Sequence, residues 1–265
     1  MRIFVEGIGL VGPGLSGWEA SRAVLAGEQP YRPAPTAVAA SPLLPAAERR
    51  RAGMPVRLAL AAGIEAIESA GVDAAALPTV FTSSGADCDN VHAICASLAT
   101  PEREVSPTRF HNSVHNAAAG YWSIATQCRA ASGSLCAYDA SFGAGLLDAA
   151  SQVALDRQAV ALIAYDHPYP APLSAARDVA ASFCVALVLA PVQGDESLAA
   201  LDIVFGPQAG SLTRMQDDSL EALRAGVPAA RCLPLLLAIA RDSRDPVMLE
   251  MPAGGCLRVE LTPCA

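Results

Sequence analysis

The stretch that most constrains the fold is residues 132–152, SGSLCAYDASFGAGLLDAASQ. Residues 134–138 are apolar and predict a strand, and the small residues of 139–145 predict a tight turn. A helical pattern follows, with apolar side chains on one face at Leu146, Leu147, Ala150 and Val153. Strand, turn and helix in this order are typical of a nucleophile elbow, where backbone N–H groups at a helix N-terminus can bind an oxyanion. The apex of this predicted elbow is Ser141.

The rest of the chain alternates between strand and helix patterns. Residues 55–71 carry apolar side chains at helical spacing and predict an amphipathic helix. Two continuous apolar runs, 159–166 and 182–191, predict strands that are buried on both faces. We therefore expect an α/β fold with a mixed, mostly parallel sheet and helices on both faces. Residues 193–265 add two or three predicted strands and a helix, without a linker that marks a clean second domain.

Composition limits the partners that the chain could have. The net charge is −8 without a basic stripe, which argues against nucleic acid as a partner. Hydrophobic residues make up 52% of the chain, more than a monomer needs, and this favours a buried subunit interface. No apolar run reaches the roughly 18–20 residues of a membrane span, and the N-terminus lacks signal-peptide features. The eight cysteines are scattered singly, which indicates reduced thiols and predicts a cytoplasmic protein.

Several segments, taken in order, resemble the β-ketoacyl synthases. The opening RIFVEGIGLVGPG, followed by WEASRAVLAGEQP, resembles that family's first strand and first helix. ERRRAGMPVRLALAAGIEAIESAG resembles its R-R-x-x-R helix, and HNAAAGYWSIA resembles its N-x-x-A-G-x-I-A segment. ASFGAGL lies where the family carries T-A-C-x-S-G-L. FHNSVHNAAAGYW is also similar to a short ketosynthase-like group of aryl polyene-type pathways, whose members are known as chain length factors.

This resemblance implies a thiolase-like fold, in which a complete ketosynthase consists of two similar α/β halves. We expect residues 1–192 to form the N-terminal-like α/β domain. Residues 193–265 would then form a short C-terminal extension packed on it, so that the second half is truncated. The family places its catalytic cysteine on the elbow of the first half and takes two histidines from the second half. The resemblance implies no cofactor and no metal.

Two departures from the family pattern bear on catalysis. Ser141 stands at the elbow position where the family has cysteine, and a serine hydroxyl needs an adjacent base to become a nucleophile. The histidines are His92, His111, His115 and His167. None lies in residues 168–265, so the chain cannot supply the family's two late histidines. By the family's mechanism, this chain lacks both its nucleophile and its polarising groups.

The candidate site residues each have a structural alternative. Ser141 is either an inactive elbow residue or a hydroxyl at the end of an acyl pocket, and Cys136 is better explained as a core residue than as a displaced nucleophile. His111 and His115 have a spacing that can bind metal, but Asn112 and Asn116 indicate a loop with a helix cap. We expect hydrogen bonding at a subunit interface there. The aromatic candidates for an interface or an acyl tunnel, with core packing as the alternative, are Tyr121, Trp122, Tyr138 and Phe142.

These observations favour a non-catalytic ketosynthase-like subunit, a chain length factor. It would form a heterodimer with a complete ketosynthase, shape the acyl tunnel, and meet acyl carrier protein through that partner. An alternative is a serine-dependent acyltransferase, decarboxylase or hydrolase that uses Ser141 with His111 or His115 as base. A third possibility is a stand-alone module that binds acyl chains.

Overall fold

One open sheet of nine strands organises the chain, for which the computed structural model describes residues 1–207 and 210–264. The strands are β1 (Arg2–Gly12), β2 (Leu15–Ser16), β3 (Thr79–Thr82), β4 (Ser132–Leu135), β5 (Val160–Asp166), β6 (Phe183–Ala190), β7 (Ala199–Pro207), β8 (Val247–Glu250) and β9 (Gly255–Pro263). Their order across the sheet is β4-β3-β5-β6-β1-β7-β9-β8, and the short β2 pairs with the end of β1. The N-terminal strand thus lies near the middle of the sheet.

Ten α-helices surround this sheet in the described part of the chain. They are α1 (Trp18–Ala26), α2 (Ala46–Arg51), α3 (Met54–Ala70), α4 (Cys88–Leu98), α5 (Pro107–Asn112), α6 (Ala117–Thr126), α7 (Ser141–Asp156), α8 (Leu173–Ala176), α9 (Asp218–Gly226) and α10 (Leu233–Ala240). The amphipathic helix predicted over 55–71 is confirmed as α3. None of the described helices is long and apolar enough to cross a membrane.

Helices cover both faces of the sheet, as predicted, and two separate cores result. One core lies beneath α3 and α6, and the other lies beneath α1, α7, α9 and α10. The sequence of β1 allows α3 to approach closely. A Cβ atom at Gly7 would collide with the carbonyl oxygen of Ala66, and one at Gly9 would collide with that of Ala62. Glycine at both positions therefore lets helix backbone lie directly on strand backbone.

The proportion of parallel strands was wrongly predicted. Among the described strands, β3 pairs in parallel with β4 and β5, and the other six pairings are antiparallel. The prediction rested on β5 and β6, which are apolar throughout and buried on both faces. These two strands are antiparallel neighbours, because no crossover helix packs on the sheet between them. Burial on both faces comes from α3 and α7 and does not depend on strand direction.

The predicted elbow is also built differently from the expected one. β4 ends at Leu135, and a single 3-10 turn, Tyr138–Ala140, leads directly into α7. The predicted turn over 139–145 is therefore mostly helix, and Ser141 is the first residue of α7 with ordinary helical dihedral angles. The residue with a left-handed backbone is Tyr138, at φ 54°. The small residues that suggested a loop are needed for packing, since a Cβ atom at Gly145 would lie 2.7 Å from Thr82.

Residues 193–265 continue the sheet beyond β1. β7 pairs with β1 from Arg2 to Val5, and β9 and β8 follow outward as antiparallel neighbours. The three strands of this region agree with the two or three predicted there. The single predicted helix is instead two, α9 and α10, separated by a 3-10 turn at Pro228–Cys232. Their apolar side chains, such as Leu201, Leu257 and Val259, belong to the same core as those of α7.

Candidate functional site

The carboxyl ends of β3, β4 and β5 meet at one edge of the sheet and bring several polar groups together. Asp166, the last residue of β5, is fully buried and accepts hydrogen bonds from the Ser84 backbone N–H at 2.8 Å and from the Ser84 hydroxyl at 2.7 Å. It also accepts from the backbone N–H of Ala229 at 2.8 Å. Burial raises the pKa of Asp166, and these hydrogen bonds oppose that shift. The carboxyl group thus ties the end of β3 to the C-terminal part of the chain.

Ser141 lies beside this edge, but its hydroxyl is used inside its own turn. The side chain is 1% exposed. Its Oγ accepts a hydrogen bond from the backbone N–H of Ala137 at 3.1 Å and donates one to the carbonyl oxygen of Tyr138 at 2.7 Å. None of the described hydrogen bonds of this hydroxyl involves a histidine or a carboxylate. The arrangement lacks the adjacent base that a serine nucleophile requires.

Tyr138 is the exposed member of the turn, with 59% of its surface accessible. The guanidinium carbon of Arg177 lies 3.4 Å from the centre of its ring, which is cation–π geometry. Arg177 in turn donates to Asp139 at 2.8 Å, and Arg231 forms ion pairs with Asp139 and Glu250. The backbone of Tyr138 is left-handed, and its exposed ring is therefore held in place by a series of charged groups.

The predicted residues lie at the junction of α5 and α6. His111 and Asn112 end α5, and His115 and Asn116 lie in the break before α6, which excludes a continuous helix there. Nε2 of His115 lies 3.2 Å from the carbonyl oxygen of Ser83, at the end of β3. Asn112 is buried, donates to the carbonyl oxygen of Arg51, and accepts from the hydroxyl of Tyr121 at 3.0 Å. Asn116 precedes α6 without a side-chain cap.

His111 is exposed and meets the ring of Tyr121 edge-on, with the ring centres 6.3 Å apart. It therefore does not join His115 at the end of β3. Within the described residues there is no group of three potential metal ligands. The structure assigns Asn112 and Tyr121 a shared role, which is to fasten α5 to α2 and α6.

Trp122 and Phe142 lie on opposite faces of the sheet. Trp122 packs edge-on against Phe81 in the core beneath α3, with ring centres 6.2 Å apart. Phe142 is buried in the core on the α7 side. Both are core residues in this chain, so neither is exposed to a partner or a ligand here. Cys136 is exposed and donates from Sγ to the carbonyl oxygen of Ser84, which contradicts its interpretation as a core residue.

Exposed apolar side chains other than Tyr138 lie on α4, α5 and α6 and in the segment between α5 and α6. The α4–α6 surface, as we name it here, consists of the exposed side chains Val91, Leu98, Phe110, Val114 and Ile124. α5 packs on α4, and α6 packs beside β3 and β4. β4 is the last strand on this side of the sheet in the described chain, so one of its edges is unpaired. Exposed apolar side chains next to an open strand edge are typical of protein interfaces.

Comparison with known families identifies the chain. Residues 18–233 match the family model of the β-ketoacyl synthase N-terminal domain. The chain belongs to this family. Three solved structures cover nearly all of it. At sequence identities of 21% or less they show the fold, which is thiolase-like as the sequence resemblance implied. No functionally curated protein matches the chain in sequence.

Each similar structure covers 98% or more of this chain and 99% of its own. The first is a ketosynthase (ApeO) in complex with its chain length factor (ApeC) from Xenorhabdus doucetiae, with a TM-score of 0.74 at 21% identity. The second is the ishigamide ketosynthase/chain length factor, with a TM-score of 0.72 at 14% identity. The third is a type II polyketide synthase acyl-carrier protein in complex with its ketosynthase, with a TM-score of 0.74 at 12% identity.

The motif quoted for the elbow can also be compared with the chain letter by letter. Paired letter by letter with T-A-C-x-S-G-L, the string ASFGAGL places Phe142, and not Ser141, opposite the cysteine. In this register Ser141 stands opposite the alanine before it. In either register the elbow offers no reactive group to a substrate. The hydroxyl of Ser141 is hydrogen-bonded within its own turn, and the ring of Phe142 is buried.

Sequence reasoning missed Arg177, Arg231 and Asp166 as contributors to this site. Asp166 could have been found, since it is an acidic residue at the end of a continuous apolar strand. Arg177 and Arg231 lie 38 and 92 positions after Asp139, and no local pattern links them.

Proposed function

We propose that this chain is a non-catalytic ketosynthase-like subunit, a chain length factor. It pairs with a complete β-ketoacyl synthase in a cytoplasmic fatty acid- or polyketide-type pathway, such as aryl polyene synthesis. In that heterodimer it shapes the acyl tunnel, and acyl carrier protein acts through the partner. The observation that carries the proposal is the state of the elbow, where Ser141 is hydrogen-bonded into its own turn and Phe142 is buried.

The chemistry of condensation supports this assignment. A ketosynthase needs a thiolate at the elbow, and a helix N-terminus lowers the pKa of a cysteine enough to provide one. A serine hydroxyl gains no comparable activation without a base, and Ser141 has none among its described hydrogen-bond partners. The exposed thiol of Cys136 is directed at the Ser84 carbonyl oxygen.

The α4–α6 surface and the free edge of β4 are the region that we assign to the partner. Tyr and Arg are enriched among the residues that dominate binding at interfaces, and Tyr138 is supported by Arg177. A ring held rigidly in this way loses little conformational entropy on binding. The position of Tyr138, beside the elbow turn, makes it our candidate for the residue that extends toward the partner's tunnel.

We also retain the division of the chain at residue 192 as a proposal. The short C-terminal extension, 193–265, would serve as a support for the first domain. The pairing of β7 with β1 and the hydrogen bond from Ala229 to Asp166 support this role. The extension contains no histidine that could polarise a thioester.

Co-expression with a complete ketosynthase tests the proposal. We expect a stable heterodimer on size-exclusion chromatography and products of defined length by mass spectrometry. The Phe110→Asp variant, which places a charge on a side chain that is 67% exposed, should abolish pairing while leaving the fold intact. Leu155→Asp is the control, because Leu155 is equally apolar and 81% exposed at the end of α7. Efficient condensation of acyl carrier protein substrates by the isolated chain would contradict a non-catalytic role.

A further inference from the structure

A cavity away from the elbow lies on the outer side of α3. Its volume is about 480 Å³, and it is open to solvent on one side and lined by α3, by the hairpin of β1 and β2, and by an irregular segment over 37–43. Its apolar lining consists of Val11, Val38, Leu43, Leu60, Ala61 and Ile64. This volume is in the range of small-molecule sites, which are about 300–1,000 Å³. α3 and α7 cover opposite faces of the sheet, so the cavity is separate from the site at Ser141.

The charged groups at this cavity are carboxylates. Glu65 accepts hydrogen bonds from the backbone N–H groups of Leu10 at 2.9 Å and Trp18 at 2.5 Å, which hold it at the cavity wall. Burial, together with the negative charges of Glu19 and Glu68, raises the pKa of Glu65 despite those hydrogen bonds. None of the ion pairs among the described residues includes any of these three glutamates. The charged side chains that line the cavity are therefore two glutamates, Glu65 and Glu68, without a cationic side chain among the described lining residues.

We propose that this cavity binds an amphiphilic organic cation, with its apolar body against α3 and its ammonium group at Glu68 and Glu65. The apolar walls select an alkyl or aryl body, since each buried CH₂ contributes about 0.8 kcal/mol. The carboxylates select the headgroup, because they attract an ammonium and repel a fatty carboxylate or a phosphate-bearing thiol carrier. The cavity thus differs in preference from any acyl-thioester site, and the inference does not depend on the proposed function.

Three probes with the same alkyl chain and different headgroups test this preference: decylamine, decanol and decanoate, used below their aggregation concentrations. Isothermal titration calorimetry on the full chain should show that decylamine binds most tightly, decanol less tightly and decanoate least. Glu68→Gln should weaken decylamine binding about fivefold and leave decanol binding unchanged. Asp156→Asn is the matched control, because it removes one exposed carboxylate from the end of α7 on the other face.

A second variant tests the location of the site. Ala61→Trp places a bulky ring in the cavity from a half-buried helix position and should abolish binding of decylamine and decanol. Circular dichroism and thermal unfolding would show whether it keeps the fold. Decanoate binding as tightly as decylamine would overturn the headgroup preference. Unchanged decylamine binding in folded Ala61→Trp, or no binding of decylamine or decanol by the wild type, would overturn the site.

Discussion

The hydroxyl of Ser141 donates a hydrogen bond to the carbonyl oxygen of Tyr138 at 2.7 Å, within the turn that would have to present it to a substrate. The hydroxyl oxygen of Ser141 also accepts a hydrogen bond from the backbone N–H of Ala137. A hydroxyl that makes both of its hydrogen bonds within its own turn stabilises the backbone there and is not free to attack a substrate. The two residues differ in exposure: Ser141 is buried and stabilises the turn, whereas Tyr138 is exposed on the surface.

Replacement of Ser141 by alanine should therefore affect stability and not activity. The Ser141→Ala variant leaves the Ala137 N–H without its acceptor in a partly buried turn, and we expect the free energy of unfolding to fall by about 1–3 kcal/mol. Urea denaturation measures this change. The matched control is Ser151→Ala on the same helix, where a half-buried hydroxyl bonded to Leu147 should cost less. Loss of product formation in the co-expressed heterodimer, at unchanged stability, would instead indicate a catalytic Ser141.

Introduction of a thiol at the elbow should not create a ketosynthase. We expect neither Ser141→Cys nor Phe142→Cys to condense malonyl- and acyl-carrier-protein substrates, because residues 168–265 contain no histidine to polarise the thioester. Mass spectrometry of the isolated variants would detect any elongated product. An acyl adduct on either cysteine without elongation would agree with this expectation, whereas multiple turnovers would disprove it.

Truncation of Tyr138 should weaken the heterodimer and change its product. We expect Tyr138→Ala to raise the dissociation constant by at least about tenfold, the usual effect of losing an aromatic residue at the centre of an interface. If the ring also limits the tunnel, the co-expressed enzyme should make longer chains. Leu155→Ala, far along α7, should change neither quantity. Normal affinity and normal product length in Tyr138→Ala would remove this residue from the interface.

The partly buried imidazole of His167 should make the stability of the fold depend on pH. Burial lowers the pKa of its imidazole below the ordinary value of 6.5, and the nearby carboxylate of Asp89 opposes this shift. The unfolded chain therefore takes up a proton near pH 6.5 that the folded chain does not yet accept, so the free energy of unfolding should decrease as the pH falls below about 6.5. His167→Asn should flatten this slope in urea titrations between pH 5 and 8. An unchanged slope in His167→Asn would contradict this assignment.

Helices with a clear apolar stripe were predictable from the sequence, and α3 is the best example, because its side-chain spacing fixes the face that it buries. The continuous apolar runs likewise gave β5 and β6. Their direction was not predictable, since a strand that is buried on both faces has the same composition in either orientation. Direction depends on how the chain returns to the sheet, which is a property of the whole topology.

The site was predicted less completely than the fold. The position of the elbow followed from residues 132–152, and the loop between α5 and α6 followed from Asn112 and Asn116. The left-handed Tyr138 was not foreseen, because that conformation costs energy for a bulky residue and persists only through surrounding contacts. Those contacts come from Arg177 and its ion pairs, which only the folded chain brings together.

The central position of β1 has a consequence for how the protein is made. β1 is synthesised well before its two long neighbours, β6 and β7, which begin at Phe183 and Ala199. Most of the chain must therefore be synthesised before the middle of the sheet can close, and contacts of such high sequence separation form slowly. During that interval an apolar eleven-residue segment has open edges and is a target for chaperones or for premature association. An obligate partner synthesised alongside it would shorten the exposure.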